Sequence, residues 1–285
     1  DMYNLTDPNI IKYLCKKYGF TFSKGMGQNF ITDETVPAIM AKTAADGAEG
    51  VLEIGPGFGT LTAALGAKAK KVLCCELDDR LKPVLSETLA GFNNISFVWG
   101  DFLKLDLKKL LEEEFPALNV SVAANLPYYI TTPVIMALIE SRLPFKKIVV
   151  MVQKEVAERL CAKAGSKDYG AITLTVNYFC RCSILKIVPA ASFIPAPKVD
   201  SAVVCMEVLD APSVTPKNEK LFFRVIKAAF SQRRKTLVNA LSGAGCFGDK
   251  QTVLGAVRRA NLAPSIRGEA LDINDFCRLA DILGE

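Results

Sequence analysis

Between about residues 48 and 152 the chain alternates strand-length apolar runs with helix-length amphipathic ones. That alternation leaves few folds open. The apolar runs are residues 50–54, 71–77, 95–99, 120–124 and 148–152, and helical spacing fills 60–67, 79–90 and 132–140. Strands that alternate with helices build right-handed crossovers and a mostly parallel α/β sheet. Further β-like runs at 174–188 and 201–208 are expected to close that sheet with antiparallel strands. After two proline-bearing stretches, 189–198 and 210–217, the pattern turns wholly helical. Leu221, Val225, Ile226, Ala229 and Phe230 repeat at helical spacing. The expected division is therefore a domain over 1–210 and a small all-α domain over 211–285.

Composition narrows the chemistry. The chain has 285 residues and no histidine. Ser-His-Asp and Cys-His catalysis are excluded, as is any His-bound metal. Nine cysteines occur without a CxxC pair, so no zinc site and no bound metal is expected. Cys74, Cys75, Cys180, Cys182 and Cys205 lie in apolar runs and read as buried thiols of a reducing compartment. The N-terminus is polar and no apolar run reaches membrane-span length, so a cytoplasmic protein without membrane attachment is expected. Asp1 ahead of Met2 is set aside from functional reasoning.

The sequence Val51-Leu52-Glu53-Ile54-Gly55-Pro56-Gly57-Phe58-Gly59-Thr60 reads as a strand, a tight glycine turn and a helix start. Its GxGxG spacing departs from the dinucleotide fingerprint, whose third glycine serves a pyrophosphate. It suits a nucleoside ligand without phosphate at the turn, such as S-adenosylmethionine. Glu76 ends the next apolar run, 17 residues beyond Gly59, where a carboxylate can accept both ribose hydroxyls. Asp101 ends the third run, where it can accept from an adenine amino group.

The fourth run enters Asn125-Leu126-Pro127-Tyr128. Pro127 fixes its own φ and keeps Leu126 extended. The Asn125 side-chain oxygen and the Leu126 carbonyl then aim at one point, where they can take an exocyclic amine. Tyr128 can stack on the base that carries it. Two acceptors localise the amine lone pair and align it for in-line attack on a sulfonium methyl. Positioning of this kind is worth roughly 7–11 kcal/mol. The product ammonium is acidic, so no strong base is needed.

Charge is uneven. Within residues 217–235 there are seven basic residues and one acidic. Lys220, Arg224, Lys227, Arg233, Arg234 and Lys235 are expected on the outer face of one helix, a phosphate-binding surface.

These segments resemble the bacterial KsgA (RsmA) family of small-subunit rRNA adenine dimethyltransferases. The likeness also rests on Gly27-Gln28-Asn29-Phe30-Ile31, on Phe193-Ile194-Pro195-Ala196-Pro197-Lys198-Val199-Asp200-Ser201 and on Phe230-Ser231-Gln232-Arg233-Arg234-Lys235-Thr236-Leu237. It runs along nearly the whole chain. The resemblance implies a Rossmann-like class I methyltransferase sheet with a helical C-terminal domain for RNA recognition. It implies methyl transfer from S-adenosylmethionine, leaving S-adenosylhomocysteine, to two adjacent adenosines near the 3′ end of small-subunit rRNA in a pre-30S particle. A monomer is expected. By motif position Gln28, Asn29 and Ile31 line the cofactor entrance, and Gly55 and Gly57 approach the methionine part. Glu53, Gly59, Leu77 and Phe102 join Glu76, Asp101 and Asn125 in the cofactor set. Tyr128 and Phe193 sandwich the target base, which must leave its stack to reach them. Thr21-Phe22-Ser23-Lys24-Gly25-Met26 departs from the family, being less basic than its usual form. Two alternatives stay open: an Erm-type enzyme acting on large-subunit rRNA, and a mainly non-catalytic nucleic-acid-binding or assembly factor.

Overall fold

The computed structural model describes residues 2–21 and 29–285. By packing the chain divides into two units, residues 1–157 with 183–208 and residues 158–182 with 209–285. In chain order the first elements are α1 (Pro8–Tyr18), β1 (Phe30–Ile31), α2 (Thr35–Ala45), β2 (Gly50–Ile54), α3 (Thr60–Gly66) and β3 (Lys71–Glu76). Then come α4 (Lys82–Thr88), β4 (Ile95–Trp99), α5 (Leu107–Glu114), β5 (Val120–Asn125), α6 (Tyr128–Glu140) and β6 (Phe145–Gln153). They are followed by α7 (Lys154–Leu160), α8 (Ala171–Phe179), β7 (Cys180–Val188), β8 (Phe193–Ile194) and β9 (Ser201–Val208). Four helices complete the chain: α9 (Glu219–Phe230), α10 (Leu237–Ala244), α11 (Lys250–Arg259) and α12 (Ile273–Leu283).

The main sheet has the order β4-β3-β2-β5-β6-β9-β7. Its β4, β3, β2, β5 and β6 pair in parallel, and β9 joins β6 antiparallel. This is the expected mixed sheet. Every residue of β2 is buried, as befits a central strand covered on both faces. Val36, Met40 and Ala44 of α2 and Leu61 and Leu65 of α3 pack on Val51, Val72, Ala123 and Val149 of the sheet. A separate two-stranded sheet pairs β1 with β8, Ile31 opposite Phe193.

Register decides where the chemistry collects. Ile54 lies opposite Cys75 on one side and Ala124 on the other. The residues that follow those three, Gly55, Glu76 and Asn125, therefore leave the sheet in one row. Glu76 pairs with Trp99, so Gly100 and Asp101 leave one step further along.

The second unit is helical. Phe222, Val225, Ile226, Phe276, Leu279, Tyr169, Leu174 and Tyr178 share one apolar core. Side-chain caps start its last four helices: Asn218 accepts from the Leu221 N–H, Thr236 from Asn239, Asp249 from Thr252 and Asp272 from Asp275.

Three sequence expectations need correction. Residues 174–179, the first part of the run expected as strand over 174–188, belong to a helix, α8. Thr175 and Val176 are β-branched and read as strand, yet Leu174 and Tyr178 bury in the helical core and that burial wins. The same burial places 158–182 with the second unit, so the chain changes unit after residues 157, 182 and 208 rather than once near 210. Finally, α6 begins at Tyr128, four residues before the expected start at 132.

Candidate active site

The row of strand ends opens into a cleft of about 690 Å³ in the first unit. That volume falls within the range that encloses nucleoside-sized ligands. Asn29, Ile31, Glu53, Gly55, Gly57, Glu76, Leu77, Asp101, Phe102, Asn125, Leu126, Pro127, Tyr128 and Phe193 all line it. Gln28 lies outside the described residues.

The glycine turn is left-handed at Gly55, Gly57 and Gly59, with φ of 71°, 57° and 93°. Such angles favour glycine. A Cβ on Gly57 would meet no atom within 4 Å, so the backbone there faces open cleft. Gly59 differs from expectation: it is absent from the cleft lining and is the N-cap of α3. A Cβ there would come within 3.1 Å of Leu89 and Thr88, so this glycine serves packing.

Glu76 is half-buried where β3 ends. Its Oε2 accepts from the Asp78 N–H at 3.0 Å. Burial raises its pKa, opposed by the backbone N–H groups of Asp78, Leu77 and Gly57. The carboxylate is thus oriented by backbone beside the glycine turn. Asp101 accepts from the Leu103 N–H at 3.0 Å, which caps a short helical turn and fixes the side chain at the rim.

Glu53, which lines the cleft, is also tied into the fold. Its side chain is 1% exposed, and its Oε1 accepts from the Thr62 hydroxyl and, at 3.5 Å, from the Cys74 thiol. Burial pushes its pKa up to about 7. It ties β2 to β3 and α3 beneath the turn.

At the other end of the cleft Asn125 is half-buried, and its side-chain amide has no hydrogen-bond partner among the described residues. Leu126 is buried and sits against the glycine turn, 3.0 Å from where a Gly55 Cβ would lie. Pro127 caps α6, and its carbonyl accepts from the Ile130 N–H at 3.2 Å and the Thr131 hydroxyl at 3.1 Å. The Tyr128 hydroxyl is 2.6 Å from the buried Ser201 hydroxyl. That contact joins the Asn-Leu-Pro-Tyr segment to the end of the Phe193–Ser201 segment. Phe193 reaches the cleft because β8 pairs with β1, whose Ile31 lines the same wall.

Several lining residues escape motif reading. Tyr129, at 75% exposure, and Leu103, at 50%, stand at the mouth. Tyr129 is the second tyrosine of a Tyr-Tyr pair, and only its exposure marks it. Arg80 also lines the wall, beside Phe30 of the quoted Gly27–Ile31 segment.

The donor set suits a nucleoside with an amino-acid tail. Glycine backbone gives close approach, two carboxylates stand at successive strand ends, and apolar walls surround them. Among the described residues no group of three Cys, Asp or Glu side chains is placed to hold a metal ion. Among them too, no helix is long and apolar enough to cross a membrane.

The basic residues expected on one helix divide in two. Lys220, Arg224 and Lys227 are exposed on α9. That helix ends at Phe230, so Arg233, Arg234 and Lys235 occupy the turn before α10. Arg233 is not a bare cation: its Nη2 donates to the carbonyls of Lys167 at 2.8 Å and Tyr169 at 2.6 Å.

Comparison with known proteins agrees with this geometry. A ribosomal RNA adenine dimethylase family model matches residues 19–283. Ribosomal RNA small subunit methyltransferase A of Alkaliphilus oremlandii is 43% identical, over 100% of this chain and 99% of its own. Its namesake in Streptococcus gordonii is 45% identical over 98% of each. A crystal structure of a dimethyladenosine transferase from Plasmodium falciparum superposes with a TM-score of 0.73 at 29% identity, covering 87% of this chain and 95% of that one. The 23S rRNA methyltransferase ErmE shares the fold, with a TM-score of 0.69 at 24% identity over 90% of this chain and all of its own. Cleft, strand-end acids and full-length identity together make this chain a member of the ribosomal RNA adenine dimethylase family, an rRNA methyltransferase built on a Rossmann-like sheet.

Proposed function

We propose that this enzyme methylates the exocyclic amines of two adjacent adenosines near the 3′ end of small-subunit rRNA, using S-adenosylmethionine bound in the cleft. The observation that carries the reading is the row formed by Gly55, Glu76 and Asn125, set by the pairing of Ile54 with Cys75 and Ala124. The relatives' names support the small subunit as target. S-adenosylmethionine supplies an electrophilic methyl group. Gly55 and Gly57 admit its amino-acid end, Glu76 takes the ribose hydroxyls, and Asp101 and Phe102 meet its adenine. Asn29 and Ile31 form the entrance wall.

Asn125 and the Leu126 carbonyl hold the target amine, because the Asn125 amide is unengaged among the described residues and Pro127 fixes the turn. Tyr128, steadied through Ser201, and Phe193 clamp the base between them. The apolar walls exclude water. The exposed cations of α9 and of the turn after it take rRNA phosphates. The substrate is an assembling small-subunit particle in the cytoplasm, met by a monomer of this chain.

The test is methyl transfer from labelled S-adenosylmethionine to unmethylated small subunits, followed by nucleoside analysis. Dimethyladenosine at two adjacent small-subunit positions is expected. Label confined to large-subunit rRNA, or no label with cofactor bound, overturns the assignment.

A further inference from the structure

Two cysteines stand apart from the other seven. Cys161 directly follows α7, and Cys182 is the third residue of β7. Their sulfurs lie 3.0 Å apart, and both side chains are partly exposed, Cys182 against the expectation that it is buried. A disulfide bond is about 2.05 Å long, so roughly 1 Å of side-chain movement separates contact from bond. Cys15, Cys74, Cys75, Cys180 and Cys205 are buried. Cys246 is exposed, with no paired sulfur among the described residues.

We propose that Cys161 and Cys182 form a dithiol site that reacts with small-molecule disulfides and closes a reversible bridge within the second unit. The two residues sit near the ends of segment 158–182, which is inserted between stretches of the first unit. The ring they would close contains residues 163–169, where the Lys167 and Tyr169 carbonyls hold the Arg233 guanidinium. It also contains α8, which buries Leu174 and Tyr178. The reaction addresses the segment that anchors the basic turn before α10.

The chemistry needs only the small disulfide as oxidant. The Cys161 thiolate attacks one sulfur of the reagent. A mixed disulfide forms and one small thiolate leaves. The Cys182 thiolate then attacks the Cys161 sulfur, the protein bond forms and the second small thiolate leaves. The protein gives up two electrons, the reagent becomes two thiols, and the two cysteine protons end on them. Cys161 is the first nucleophile, because the Cys182 thiol beside it holds its pKa below the usual thiol value. Burial pushes Cys74 and Cys75 the other way, Cys75 to about 12.

The experiment uses the reduced full-length protein and oxidised glutathione, with alkylation, peptide mapping and intact mass. Besides exposed Cys246, two of the nine thiols are expected to disappear, with a Cys161–Cys182 linked peptide two hydrogens lighter than the reduced pair. Dithiothreitol is expected to restore both. In Cys182→Ser the second step is blocked, so Cys161 is expected to keep glutathione as a stable adduct. Exposed Cys246 reports that the reagent reached the protein. Glutathione on Cys246 with both Cys161 and Cys182 still alkylatable overturns the proposal. So does a wild-type adduct on Cys161 that never transfers to Cys182.

Discussion

Asn125 and Glu53 are both polar residues of the cleft, yet their surroundings assign them opposite work. Asn125 has no partner of its own among the described residues, and in the proposed mechanism its amide takes the substrate amine. Asn125→Ala is expected to lower methyl transfer at least about 100-fold, the scale of losing one preorganised polar contact to a reacting group. Cofactor should still bind to the variant, read by calorimetry, because Gly55, Gly57 and Glu76 are untouched. Unchanged single-turnover rates would remove Asn125 from the chemistry. Glu53 is held inside the fold through its Oε1, and burial raises its pKa from 4.5 to about 7. The folded state therefore holds its proton more tightly than the unfolded chain. The sign follows directly: this stabilisation is complete below about pH 4.5, declines as pH rises and is gone above about 7. The shift corresponds to about 3 kcal/mol. Glu53→Gln stays neutral at every pH. Urea unfolding at pH 5 and pH 8 should show wild-type stability falling relative to this variant by an amount of that order. Parallel wild-type and variant profiles would contradict the assignment.

At the scale of elements, the glycine turn separates strain from ligand access. Gly57→Ala places a methyl group in open cleft, and a left-handed alanine costs about 1–2 kcal/mol. Its main effect should be weaker cofactor binding. Gly59→Ala drives its Cβ against Leu89 and Thr88 at a φ of 93°. Its main effect should be lost stability, about 1–3 kcal/mol by thermal unfolding. Equal losses of cofactor affinity in the two variants would refute this division. The turn and its strands are legible in the sequence because short apolar runs ending in Gly, Glu, Asp or Asn are local signals. The register that aligns Gly55, Glu76 and Asn125 follows from parallel pairing of such runs. Other features are long-range and leave no local trace. Residues 171–179 carry β-branched side chains, and only burial of Leu174 and Tyr178 against α9 and α12 makes them a helix. Phe193 reaches the cleft through pairing with Ile31, which no spacing announces. The duty of Gly59 depends on Leu89, thirty positions on, and composition cannot show it.

For the molecule as a whole, the chain divides its work between a unit that does chemistry and a helical unit that carries the densest basic segment. Net charge is only +5, so rRNA affinity must come from where cations are placed rather than from the total. Seven basic residues fall within 217–235, but they are not equivalent. Arg233 binds two backbone carbonyls 66 and 64 residues away in sequence, a link that motif reading cannot see. Arg233→Ala should therefore cost stability, about 1–2 kcal/mol for charged hydrogen bonds at a part-exposed site. Arg234 and Lys235 are exposed in the same turn. Arg234→Glu with Lys235→Glu should leave the unfolding transition nearly unchanged while weakening small-subunit binding. Each phosphate contact contributes about 0.7–0.9 to the slope of log affinity against log salt, so losing two should flatten it by about 1.4–1.8. Binding measured at several salt concentrations separates the two effects. If the double reversal leaves the slope intact, the turn carries no phosphate contacts and α9, through Lys220, Arg224 and Lys227, must supply them instead. If Arg233→Ala flattens the slope with full stability, its carbonyl anchorage is not what holds residues 163–169 in place.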